Sequence, residues 1–188
     1  MVAGNEAAFF DGATLTGWRG DPDVWSVEDG VIVGKTEGLD RNSFLRSDFE
    51  MGDFRLLLEV RLTPNGENGG IQFRSRELDG GDVEGYQADV GAGWWGKLYE
   101  EHGRAVLAGD QRDEHVKAED WNTYEILAVG DRIQTAINGA PCVDLVDPDG
   151  ARRGIVAFQV HSGGAVEIRY RILGLELDPA PDLSTVSR

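Results

Sequence analysis

Residues 54–62 read FRLLLEVRL, and their alternation decides the fold. Phe54, Leu56, Leu58, Val60 and Leu62 share one parity, and Arg55, Leu57, Glu59 and Arg61 share the other. Successive side chains of a strand point to opposite faces, so the pattern predicts a strand with an apolar face and a largely polar one. VEIRYRILGLEL (166–177) behaves alike: Val166, Ile168, Tyr170 and Ile172 alternate with Glu167, Arg169 and Arg171.

Further strands are predicted at WSVEDGVIVGK, SFLRS, GIQFRS, GYQADVG, GKLYEE, TYEILAVG, DRIQTAING, PCVDLV and GIVAFQVH. Turn chemistry separates them at EDG (28–30), PNGENGG (64–70), VGDR (129–132), NGAP (138–141) and DPDG (147–150). The one helix-like piece, RDEHVKAED (112–120), is short. About a dozen strands joined by hairpin turns predict an all-β antiparallel β-sandwich of the jelly-roll type.

The chain has 188 residues, enough for one domain with a substantial core. That domain is expected over residues 1–178, followed by a frayed, proline-containing tail at 179–188. The 26 glycines lie between short apolar runs without a repeat, which suits a turn-rich fold. With 34 acidic against 18 basic residues the net charge is -16, which repels nucleic acid and anionic lipid. The bland meaning of that acidity is solubility. One cysteine, Cys142, permits no internal disulfide. No apolar run approaches the ~20 residues of a membrane span. The start MVAGNEAAFF lacks a basic region and a long apolar run, so it is not read as a signal peptide, and localisation stays open.

Period-2 counting also exposes a polar stripe. In GIQFRS, Ile71 and Phe73 point inward, leaving Gln72 and Arg74 outside. In GYQADV, Tyr86, Ala88 and Val90 leave Gln87 and Asp89. Leu98 leaves Lys97 and Tyr99, while Val156, Phe158 and Val160 leave Ala157, Gln159 and His161. Together with Glu59, this set is rich in amides, carboxylates and a guanidinium, groups that grip vicinal hydroxyls through paired hydrogen bonds. The GWWG turn adds Trp94 and Trp95, which face opposite ways on an extended chain, one to pack and the other to stack on a ring. The expectation is a concave sheet that binds a small carbohydrate. Merely solvated strand faces would show the same alternation.

The order of FFDGATLTGW, WSVEDGVIVG, GDFRLLLEVRL, NGGIQFRS, GYQADVGAGWWGKLYEEHG, DWNTYEI, ING and GIVAFQVHSG…VEIRYRIL resembles the 3-keto-disaccharide hydrolase family. The likeness covers roughly residues 6 to 178. It implies a concanavalin A-like jelly roll that cleaves glycosides whose sugar carries a ketone at C3, in a bacterial periplasmic or secreted setting. The family pattern maps onto Glu59, onto Asn68, Gly70, Ile71 and Arg74, onto Tyr86 to Asp89, onto Lys97 to Tyr99, and onto Gln159 and His161. Where many relatives read asparagine-serine-glycine, this chain has NGG, a departure confined to the turn.

A C3 ketone acidifies the C2 proton, so the C1–oxygen bond can break by elimination and water can then add to the enone. Asp89 or His161 is the expected base, and Lys97 or Arg74 the enolate partner. Glu100 or Glu101 would assist the leaving oxygen. The expected catalytic set is Asp89, Lys97, His161 and Glu100. Glu59, Gln72, Arg74, Gln87, Trp94, Trp95, Tyr99, Arg104 and Gln159 are expected to bind substrate. Retaining glycosidases need paired carboxylates ~5–5.5 Å apart, and GYQADVG offers only Asp89, which argues against ordinary retaining hydrolysis.

His102, His115 and His161 are too scattered for a transition-metal site. Asp79, Asp82 and Glu84 in LDGGDVEG (78–85) are calcium-type oxygen ligands, although a solvated turn explains them better, and no cofactor is expected. Two rival readings use the same face. One is a non-catalytic, lectin-like carbohydrate-binding domain, the other a structural or adhesive domain. The sequence sets no oligomeric state.

Overall fold

A computed structural model describes residues 9–110 and 112–186. The strands among them are β1 (Trp18–Arg19), β2 (Trp25–Glu28), β3 (Val31–Thr36), β4 (Ser43–Met51), β5 (Phe54–Thr63), β6 (Gly69–Glu77) and β7 (Val83–Val90). They continue as β8 (Leu98–Glu101), β9 (Ala105–Ala108), β10 (Asn122–Val129), β11 (Arg132–Ile137), β12 (Ala140–Val146), β13 (Gly154–Val160) and β14 (Val166–Leu177). Two seven-stranded antiparallel sheets result, ordered β1-β4-β13-β6-β7-β8-β9 and β12-β11-β10-β5-β14-β3-β2. The fold is an all-β sandwich of the concanavalin A-like jelly-roll type. The helix-like piece is a single 3-10 turn, Asp113–His115.

Turn residues set the hairpin registers. Glu28 pairs with Val31 across Asp29 (φ 50°) and Gly30 (φ 78°). Ile137 pairs with Ala140 across Asn138 (φ 50°) and Gly139 (φ 81°). Two successive left-handed residues match the twist of the flanking strands, which is why Asp-Gly and Asn-Gly occupy these tips.

The expected parities place the core correctly. Phe54, Leu56, Leu58, Val60 and Leu62 are buried together with Ile71, Phe73, Tyr86, Ala88, Val90, Val156, Phe158 and Val160. Burying each large aliphatic or aromatic side chain contributes roughly 1.5–3 kcal/mol. Phe158 of the first sheet stacks on Tyr170 of the second, with centroids 4.3 Å apart. The Tyr170 hydroxyl is shared between the carbonyls of Gly70 (3.1 Å) and Gln159 (3.2 Å). It thus ties β14 to the centre of the sheet that carries the candidate site.

The tail departs from expectation. Arg55 donates to the carbonyls of Ala180 (3.1 Å) and Asp182 (2.6 Å). Glu125, fully buried on the second sheet, accepts from the amide and hydroxyl of both Ser184 and Thr185 at 2.6–2.8 Å. A buried carboxylate needs donors, and Ser184 and Thr185 supply four. Pro179 and Pro181 flank Ala180, whose carbonyl Arg55 holds.

Candidate functional site

The polar stripe lies on the outer face of the first sheet and excludes β5. That strand belongs to the second sheet, so Glu59 points away from the opposite side of the sandwich. It pairs there with Arg171, whose guanidinium stacks 4.1 Å from the centre of the Trp121 ring. Glu59 is therefore removed from the candidate site, because alternation distinguishes inside from outside without distinguishing one sheet from the other.

On the first sheet, strand register assembles two rows. One runs Ala157–Gln72–Gln87–Tyr99, the other Gln159–Gly70–Asp89. Gly70 leaves room for its neighbour: a Cβ there would stand 2.5 Å from the Gln87 side-chain carbonyl carbon. The Gln87 amide lies in that space and connects the rows. Ser75 Oγ donates to Gln72 Oε1 (3.1 Å), Gln72 Nε2 to Gln87 Oε1 (2.7 Å), and Gln87 Nε2 to Asp89 Oδ1 (2.6 Å). Each group orients the next, and all are almost wholly buried.

The relay ends on an unsatisfied atom. Asp89 Oδ2 is buried and has no hydrogen-bond partner among the described residues, and neither has either end of the Gln159 amide. Buried polar groups are seldom left so, and exceptions point to strain, a ligand or chemistry. Burial pushes the Asp89 carboxyl up to about 7; the Gln87 hydrogen bond opposes this, the charge of Glu101 adds to it, and Lys97 opposes it again.

Asp89, Gln87, Asn68, Trp94, Tyr99, Glu101 and His161 enclose a cleft of about 220 Å³. The GWWG turn builds one wall, with the amides of Trp94 and Trp95 both donating to the Gly91 carbonyl at 2.9 Å. Trp94 is left 39% exposed, edge-on to Tyr99 with centroids 6.3 Å apart. The Lys97 ammonium sits 4.7 Å from the centre of the Trp94 ring. His161 is held by its backbone N–H to the Asn68 carbonyl (3.2 Å). Its Nδ1–H donates to the Ser162 carbonyl (2.7 Å), so Nε2 keeps a free lone pair. Burial raises the Glu101 carboxyl above its ordinary value, with the nearby histidines opposing and Asp82 reinforcing.

Seven more expected residues do not line this cleft: Gln72 and Gln159 are fully buried, Lys97 sits over the Trp94 ring, and Arg74, Trp95, Glu100 and Arg104 turn elsewhere. A β-bulge between Phe73 and Arg76 reverses the parity of β6, and Arg74 adopts φ 47°. Its side chain passes under the sheet to the carbonyls of Gly52 (2.9 Å) and Gly130 (2.8 Å) and to Asp53 (2.9 Å). Ser75 takes the outer position. Trp95 is core, 1% exposed, with Nε1 donating to Asn65 Oδ1 at 2.9 Å. Glu100 and Arg104 pair with each other (2.7 Å), and Arg104 continues to Asp147 (2.6 Å), which also accepts from Tyr86 (2.5 Å). This cluster braces the strands below the cleft.

Glu101 was underweighted in the sequence. It shares a parity with Lys97 and Tyr99, so the same count that finds them reaches it two residues further on; Glu100 has the opposite parity. Asn68 precedes β6, where alternation gives no guidance. Among the acidic loop residues, Asp82 pairs with His102 (2.9 Å) and Glu84 with Arg76 (2.6 Å).

Comparison with solved structures places the fold among jelly-roll β-sandwiches. The carbohydrate binding module CBM66 from Bacillus subtilis is 19% identical with a TM-score of 0.64, over 83% of this chain and 93% of that one. A candidate glycosyl hydrolase from Parabacteroides distasonis is 18% identical with a TM-score of 0.66, over 87% and 95%. A Bacillus subtilis protein of unknown function with a galectin-like fold reaches 0.68 at 12% identity, over 87% and 90%. A comparison with curated proteins finds no match. The model of the 3-keto-alpha-glucoside-1,2-lyase-like domain matches residues 6–175, and the chain belongs to that family.

Proposed function

We propose that this protein cleaves glycosides of 3-keto sugars by elimination across C1 and C2, followed by hydration. Membership of the family ties the chain to carbohydrate chemistry. The observation that carries the finer reading is Asp89: a buried carboxylate on the cleft wall, one oxygen fixed by Gln87 and the other without a partner. A lectin gains nothing from a carboxylate displaced toward neutrality, whereas a general base works best near the operating pH.

In this mechanism the sugar stacks on Trp94 and presents its C2 proton to Asp89 Oδ2. Asp89 takes that proton, and the C2–H electron pair passes into the C3 ketone as an enolate. Lys97 contributes positive charge beside the developing oxyanion. The enolate collapses to a C1–C2 double bond as the C1–oxygen bond breaks, and Glu101 protonates the departing oxygen. In the second half, water held by His161 Nε2 adds to C1 of the enone while a proton returns to C2. The products are the free 3-keto sugar and the free alcohol, so overall one water is consumed.

The test pairs a 3-keto-glucoside with its unoxidised parent. Release of the alcohol from the keto substrate alone, lost in Asp89→Asn, is the expected result. Binding of both compounds without cleavage would favour a carbohydrate-binding role, which the amide-rich face also suits.

A further inference from the structure

We infer that Asn42, whose side chain does not line the cleft, is a positioning residue that sets which ring nitrogen of His161 carries the proton. The inference rests on the proposed cleavage reaction, in which His161 Nε2 must accept from the attacking water. His161 is exposed, so packing does little to orient its ring. The hydrogen bond made by one ring nitrogen then decides the state of the other. A neutral imidazole free in water favours the proton on Nε2, the tautomer that cannot hold that water as an acceptor.

His161 Nδ1 lies 2.7 Å from the Ser162 carbonyl, which accepts and never donates. The proton therefore stays on Nδ1 for as long as that carbonyl keeps its place. Both peptide units of Ser162 are held by the connection between β3 and β4. The unit before it donates the Ser162 N–H to Asn42 Oδ1 at 2.9 Å. The unit after it, whose oxygen receives His161, donates the Gly163 N–H to the Leu39 carbonyl at 3.0 Å. The Leu39 N–H returns a bond to the Gly163 carbonyl at 3.1 Å. A backbone N–H only donates, so the oxygen of the Asn42 amide, and not its nitrogen, faces Ser162.

The loop cannot hold this geometry by stiffness. Gly163 (φ 152°) and Gly164 pass so close to Glu67 that a Cβ on either would stand 3.0 Å from a carboxylate oxygen. Glycine is needed there, and glycine backbone is permissive. Removing the Asn42 acceptor leaves the Leu39–Gly163 pair to keep the fold, but frees the peptide between His161 and Ser162 to turn. That peptide joins the ring to the carbonyl it donates to, so its turning opens the Nδ1 bond.

Ring nitrogen resonances of His161, assigned with His161→Gln among the three histidines, report the tautomer directly. In the parent at about pH 8, where imidazole is neutral, Nδ1 should be protonated and Nε2 bare. Asn42→Ala should move the population toward Nε2–H and slow hydration of the isolated enone about tenfold with KM kept, the effect of one hydrogen bond. Single-turnover release of nitrophenolate from a nitrophenyl 3-keto-glucoside needs only the elimination half and should be unchanged. Arg41→Ala, exposed on the same connection, should match the parent in all three measurements. A parent with its proton on Nε2 overturns the assignment and leaves the cleavage reaction standing. So does an Asn42→Ala protein that keeps the parent spectrum or hydrates the enone within about twofold of the parent rate. A parent that cleaves no 3-keto-glucoside overturns the reaction alone, because the spectra test Asn42 without it.

Discussion

Gln87 donates to Oδ1 of Asp89 at 2.6 Å and so leaves Oδ2 as the only unpartnered oxygen of that carboxylate. The pair aims a proton acceptor as well as perturbing it. Asp89→Asn keeps the shape and an acceptor for Gln87 but removes the base. Turnover of a 3-keto-glucoside should fall by roughly 10²–10⁴, with KM little changed. In the parent, the rate should climb as pH rises through about 7, where Asp89 ionises. A parent profile flat from pH 5 to 8 would contradict this assignment.

The same residue predicts a stability change of opposite sense to the usual acid effect. Its folded-state value is raised from the ordinary 3.8 of an aspartate to about 7. Below about pH 4 both states hold the proton and nothing is lost. Between about 4 and 7 the unfolded chain has released a proton that the folded protein retains, so stability declines as pH rises, by at most about 1.4 kcal/mol per pH unit. Denaturant melts should show Asp89→Asn gaining on the parent between pH 4 and 8, with the two converging in acid.

Trp94 and Trp95 should separate function from folding. Trp94→Ala is expected to weaken sugar binding by about 1–2 kcal/mol, read as a higher KM, with an almost unchanged melting temperature. Trp95→Ala empties a core position and removes the bond to Asn65, costing about 3–5 kcal/mol in a denaturation experiment.

Glu101 and Glu100 form a second test of neighbours. Glu101→Gln should lower kcat most for poor leaving groups and least for nitrophenolate, which departs without a proton. Glu100→Gln should cost about 1 kcal/mol of stability, by releasing one side of the Arg104 clamp, and leave that leaving-group dependence intact. The slope of rate against leaving-group acidity is the measurement.

Arg74→Met removes three hydrogen bonds from a side chain with no exposed surface and leaves Gly52, Gly130 and Asp53 without their donor. A loss of about 2–3 kcal/mol is expected in chemical denaturation, with substrate preference retained in the folded fraction.

These outcomes trace how much of the molecule alternation makes legible. The parities of β5, of β6 as far as Phe73, and of β7, β8 and β13 followed from period 2, and so did the outward placement of Gln72, Gln87, Asp89, Tyr99, Gln159 and His161. Arg74 escaped because a bulge shifts the count within β6, and no local pattern in the sequence marks where it falls. Glu59 escaped because sheet membership is a long-range property. Glu101 was within reach of the same count. Trp95 was unreadable for another reason: the sharp turn at Gly91, rather than an extended strand, decides which indole goes inward.

Ser184 and Thr185 close over Glu125 like a buckle, with Arg55 holding the strap behind them. Removing the chain after Leu177 would therefore strip four donors from a carboxylate sealed against the second sheet. The damage would surface as a softened back wall, remote from the sugar-facing side, and would pass unnoticed in an assay that scores cleavage alone.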